Sequence, residues 1–139
     1  MTLAAAIIET LQTDVPGLAL IEGAAGFQSA AETNPKATPA AYVFVVDETG
    51  DELTLDGTLQ MLRVTVAVVL VVRHLGTSKG GSAAGDMESL REDVLAALIG
   101  KVPTGCSPLS LRQSALIAFR DGHLWWQQTW ETRRFISGV

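Results

Sequence analysis

The stretch from Leu59 to His74, LQMLRVTVAVVLVVRH, constrains this chain more than any other. Its even positions, Leu62, Val64, Val66, Val68, Leu70 and Val72, are apolar without a break, which is the pattern of one face of a period-two element. The odd positions, Met61, Arg63, Thr65, Ala67, Val69, Val71 and Arg73, are apolar in the middle and charged towards both ends. Six Val and one Thr argue against a helix, because branching at Cβ restricts χ1 there and packs well on a pleated surface. The spacing predicts a long central strand, about 50 Å at full extension. A strand of that length outruns the body of its own domain. Its even face is expected under the chain's helices and its odd face against another subunit.

The remaining elements are read against that strand. Thr2 caps a first helix with the stripe Leu3, Ile7, Ile8 and Leu11, ending near Asp14 because Pro16 restricts Val15. Leu18–Glu22 is a short strand, and Gly23–Pro39, rich in Ala, Gly, Asn and Pro, reads as a loop. Ala41–Val46 is a second strand. The acids that follow it, Asp47, Glu48, Asp51, Glu52 and Asp56, have no base among them and read as a solvated loop. Leu75–Gly85, with four Gly and two Ser, is expected to be a flexible loop. Asp86 is the expected cap of a second helix with the stripe Met87, Leu90, Val94, Leu95 and Leu98, stopped by Gly100. The pair Asp121-Gly122 marks a hairpin between Leu109–Arg120 and His123–Ile136. On its second arm Trp126 and Trp130 are expected in the core, and Trp125, sharing a face with Gln127 and Glu131, at a contact.

The order predicts an α+β fold: a mainly antiparallel sheet with a long central strand, two helices on one face and a C-terminal β-hairpin. A chain of 139 residues fits one domain, 1–139, with the flexible loop at 75–85. The net charge of −5, from 15 acids and 10 bases, argues against a general nucleic-acid binder. The apolar run Val64–Val72 is far shorter than the ~20 residues of a membrane helix, so no membrane role is expected. No secretory signal is legible at the start. The single Cys106 excludes an intrachain disulfide and has no nucleophile motif around it. The acidic run lacks EF-hand spacing, and the Gly-rich stretch lacks both the Walker and the GxGxxG patterns, so neither metal nor cofactor is expected. His74 and His123 are expected in solvent.

A Pro-led strand (PAAYVFVV), a long strand beginning with Arg (LRVTVAVVLVV), a Gly-rich excursion, a helix of the type MESLREDVLAAL and a closing aromatic and Gln strand (LWWQQTWETRRF) resemble the tail terminator, or tail completion, proteins of tailed phages. The resemblance covers most of the chain. It implies a structural virion protein with no catalytic residues; the alternatives are another neck or head-completion protein, or a small bacterial ligand-binding or enzyme domain. Such a subunit would be assembled in the host cytoplasm into a homo-oligomeric ring, expected to be a hexamer, at the head-proximal end of the tail tube. The partners implied are other copies of the chain, the tail tube protein and the head-tail connector, with DNA passing through the lumen unbound. Ring closure needs two different patches that meet. The candidates are Arg63, Val69, Val71 and Arg73 on the central strand, Lys79 in the Gly-rich loop, Glu88, Arg91 and Glu92 on the helix after it, and Trp125.

Overall fold

In a computed structural model that describes residues 1–73 and 81–138, and of residues 81–84 the backbone alone, the elements run in the order α1 (Leu3–Asp14), β1 (Leu20–Glu22), α2 (Ala24–Glu32), β2 (Ala40–Glu52), β3 (Leu59–Arg73), α3 (Gly81–Leu98), β4 (Ser110–Arg120) and β5 (His123–Ser137). The five strands form one sheet in the order β1-β2-β3-β5-β4. Only β1 and β2 pair in parallel; β2 with β3, β3 with β5 and β4 with β5 are antiparallel. The fold is α+β, as the sequence predicts.

Local chemistry explains most boundaries. Thr2 Oγ1 accepts the Ala5 N–H at 3.1 Å, satisfying one of the donors a helix start leaves open. At the hairpin, Asp121 (φ 50°) and Gly122 (φ 71°) both take left-handed backbone, the geometry of a two-residue turn whose twist matches the strands it joins. β3 lies in the middle of the sheet and pairs with β5 along its whole length, from Leu59 opposite Ser137 to Arg73 opposite His123.

Two apolar layers follow from the alternation on β3. On one face Val64, Val66, Val68, Leu70 and Val72 pack under Ile7 and Leu11 of α1 and Met87, Leu90, Val94 and Leu98 of α3, with Trp130 of β5. On the other face Val69 and Val71 join Ala40, Tyr42 and Trp125 under Phe27 and Ala30 of α2. Full burial of such side chains is worth about 1.5–3 kcal/mol each, so both layers contribute to folding.

The second layer corrects the expectation for the odd face of β3. Val69 and Val71 are 0% exposed and Trp125 is 2% exposed within a single chain, so these three candidates belong to the core and do not face a neighbour. The cover is α2, which lies in the segment read as a loop. Gly23, Gly26 and the following Asn34-Pro35 obscured a helix whose buried side is only Phe27 and Ala30. Gly26 is there for a packing reason, since a Cβ at that position would lie 2.6 Å from the Glu22 Cβ. Two boundaries also move. The acids Asp47–Glu52 continue β2 instead of forming a loop, and α3 begins at Gly81, so Asp86 lies inside it and does not cap it. Of the expected flexible loop, residues 75–80 lie outside the described residues, and 81–85 form the first turns of α3.

Trp130 is buried in the α1 and α3 layer and Trp126 packs half-buried against it, on the face the sequence predicts, whereas Trp125, expected at a contact, is buried under α2. Trp125→Ala is therefore expected to destabilise the fold by about 3–5 kcal/mol, with Trp126→Ala costing less. Val71→Asp, which would place an unpaired carboxylate between α2 and the sheet, is expected to abolish folding. Denaturant titration of the three variants, followed by circular dichroism, checks both expectations.

Candidate assembly surfaces

The remaining predicted site residues do not converge on one patch. Arg63 and Arg73 sit towards opposite ends of β3. The Arg63 Nε lies 3.3 Å from Asp51 Oδ2, with both side chains about half exposed, a surface pair worth at most about 1 kcal/mol. Arg73 is exposed and borders an open cleft of about 490 Å³ that Asp86 and Asp93 also line. Glu88 and Glu92 are exposed on α3. Arg91 faces inward, its guanidinium carbon 3.7 Å from the centre of the Trp126 ring, and the same indole donates to Ser114 Oγ at 2.7 Å. That stack holds α3 against the β4 side of the sheet. Lys79 and His74 lie outside the described residues. His123, expected in solvent, is nearly buried, with Nδ1 2.9 Å from the Asp121 carbonyl oxygen.

Three surfaces that the sequence reading missed stand out once the sheet is assembled. The first is the β4 edge, where Leu116, Ile117 and Phe119 are about half exposed. From Ser110 to Arg120 this strand carries two Arg and no acid. The second is the outer half of β2. β1 pairs only with Ala40–Tyr42, which leaves Val45–Glu52 on an open edge with Asp47, Glu48, Asp51 and Glu52 and no base.

The third is the tip of the β2–β3 hairpin. Asp56 Oδ1 accepts from Thr54 Oγ1 at 2.7 Å, Thr58 Oγ1 at 2.8 Å and Thr58 N at 3.1 Å. Gly57 turns the chain at φ 72°, and Leu55 is presented fully to solvent. The Thr54 hydroxyl, followed by the Thr58 amide and hydroxyl, holds the Asp56 carboxyl down at about 2. The signal available in the sequence was Thr54-Leu-Asp-Gly-Thr58, a turn in which Thr hydroxyls can close on the carboxylate. Because the folded value lies below the ordinary 3.8, this group's contribution to the hairpin is present above that value and lost as pH falls towards 2. Asp56→Ala is expected to remove that acid dependence and speed amide exchange at Leu53 and Leu59, measured by NMR.

Beneath α2 is a small cavity of about 90 Å³ lined by residues including Glu22, Ser29, Asn34 and Tyr42. The Tyr42 hydroxyl and Asn34 Oδ1 are buried with no hydrogen-bond partner among the described residues. Burial first, and the Glu22 charge second, push the Tyr42 phenol up to about 12. The neutral phenol is thus favoured in the fold, and that stability is present below pH 10 and lost as pH rises through 12. Tyr42 is the one Tyr of the chain, so absorbance titration reads it alone. Tyr42→Phe is expected to leave stability near neutral pH unchanged or raised and to remove the alkaline loss.

Among the described residues no group of three His, Cys, Asp or Glu is placed to hold a metal ion, and no helix is long and apolar enough to cross a membrane. The features gathered here are edges, a tip and charged strips suited to contact with other chains. Comparison with known proteins points the same way. The family model described as "Phage tail terminator protein" matches residues 2–138. A solved structure described as "Virion of native gene transfer agent (GTA) particle" contains a chain with TM-score 0.56 and 16% identity to this one, over 94% of this chain and 92% of that one. At that identity the likeness is one of fold. No curated protein matches.

Proposed function

Because the chain belongs to the phage tail terminator family, whose members are tail structural proteins of the virion, we propose that it closes into a homo-oligomeric ring, a hexamer, on the head-proximal end of the tail tube. There it ends tube polymerisation and offers the surface on which the head-tail connector docks. The subunit acts as a single domain over residues 1–139, with a structural role and no catalysis, and is assembled in the host cytoplasm. The observation that carries this reading is the family match over nearly the whole chain, and the geometry is consistent with it. A ring needs one patch that meets a different patch under a rotation that closes. The opposite edges of this sheet differ in charge and shape, as such an interface requires. With a net charge of −5, the subunit offers passing DNA few cations to displace counterions, which suits a lumen that conducts DNA without holding it.

The test is genetic and visual. Particles assembled without this protein are expected to carry tubes of uncontrolled length with no heads attached, and supplying the protein in trans should restore tails of uniform length. Electron micrographs in which tails of normal length join to heads in its absence would overturn the proposal.

A further inference from the structure

The two edges of the sheet differ in charge and in what they leave exposed. β4, at one edge, carries no acid. Its Arg112 pairs with Glu131 of β5 but stays about half exposed, and its Arg120 donates to the Ala30 and Ala31 carbonyl oxygens and stacks on Trp125. The outer half of β2, at the other, carries four carboxylates and no base. Asp51 is engaged by Arg63, whereas Asp47, Glu48 and Glu52 make no ion pair among the described residues. A long edge with exposed apolar side chains is a template for another strand, and soluble proteins normally block such edges with Pro or Lys. β4 contains neither. Its bulges at Arg112 and Ile117 instead bracket a regular run from Gln113 to Leu116.

We propose that the acidic outer half of β2 in one copy pairs with the β4 edge of a second copy, so that the sheet continues from subunit to subunit. The occupant is another copy because the two surfaces lie on opposite edges of one chain, where they cannot meet each other. The strand directions agree with this. β2 is antiparallel to β3, β3 to β5, and β5 to β4, so β2 and β4 run in opposite senses. A neighbour related by rotation about an axis along the strands therefore presents β2 antiparallel to β4.

The edges are also staggered. β4 lies beside the part of β5 that pairs with Thr65–Arg73, while the acidic part of β2 pairs with Gln60–Thr65. Pairing them shifts the register in the same sense at every boundary, and a consistent shift tilts the strands as closure of a barrel requires. β1 enforces the stagger, because it occupies the inner part of the β2 edge.

The proposal rests on the ring reading above, and cysteine cross-linking separates the two. In a Cys106→Ser background, Thr49→Cys is combined with Gln113→Cys or with Ala115→Cys. All three positions lie on the α2 side of the sheet, and the last two allow for the register. Oxidation is run on the protein alone and on tubes capped with it, with circular dichroism confirming the fold. Each double variant that matches the register is expected to give a ladder of disulfide-linked species ending at the closed ring, and the single-cysteine variants no more than a linked dimer. Glu48→Lys combined with Glu52→Lys is expected to weaken association at least about tenfold. A ring by light scattering that gives no ladder in either double variant and is unaffected by the charge reversal would overturn the edge pairing and leave the ring reading intact. A monomer in both settings would overturn both.

Discussion

Everything in this structure depends on the pairing of β3 along both of its sides. Its backbone donors and acceptors are taken up by β2 and β5, so a run of mainly Val and Leu can be buried without orphaned polar groups. With the backbone satisfied, the side chains are free to alternate. One set goes under α1 and α3, the other under α2. A single-residue slip of β3 against either neighbour would exchange the two sets, placing Arg63 where Val64 now packs. The register is therefore fixed by both layers at once.

The elements governed by period were legible in the sequence. β3, α1, the body of α3 and the Asp121-Gly122 hairpin follow directly from apolar spacing, a capping Thr and a turn dipeptide. What failed was governed by contacts too short or too distant to leave a period. α2 buries only Phe27 and Ala30, too little for a stripe, and without α2 the odd face of β3 has no visible cover in the sequence. Trp125 depends on the same helix for its cover. Its polar neighbours at alternate positions suggested a wet face, but Gln127 and Thr129 are half-buried while Trp125 itself packs under α2. Nor could the acidic run be recognised as strand from composition, because its pairing with Arg63 and Met61 is set by β3.

The same blindness applies to the surfaces. Candidates chosen for charge or hydrophobicity scattered over the molecule, since no sequence pattern shows which strand ends at a sheet edge. Charge becomes informative only after topology is known. The acids of β2 and the arginines of β4, 60 or so positions apart in the chain, then occupy the two sides of one sheet. A surface of that kind has direction, because its two sides differ, and a contact between them is heterologous, giving a ring only where the rotation closes.

One small irregularity governs how that acidic edge is presented. Between Val45, which lies opposite Val66, and Asp47, opposite Thr65, the register shifts, so Val46 is an extra residue in β2. Before it, the even-numbered Tyr42 and Phe44 look towards α2; after it, the odd-numbered Asp47, Thr49 and Asp51 do. Val46 thus acts as a phase shifter in the strand. Its loss would leave every later carboxylate on its present face and merely straighten β2. Loss of a residue beside it could be absorbed in the same way, with Val46 drawn into the regular ladder, whereas one further residue lost would invert the faces beyond. The bulge thus gives the strand one residue of slack: the gene can shorten once at this bend and keep Thr49, Asp51 and Glu52 facing as they do, but it cannot shorten twice.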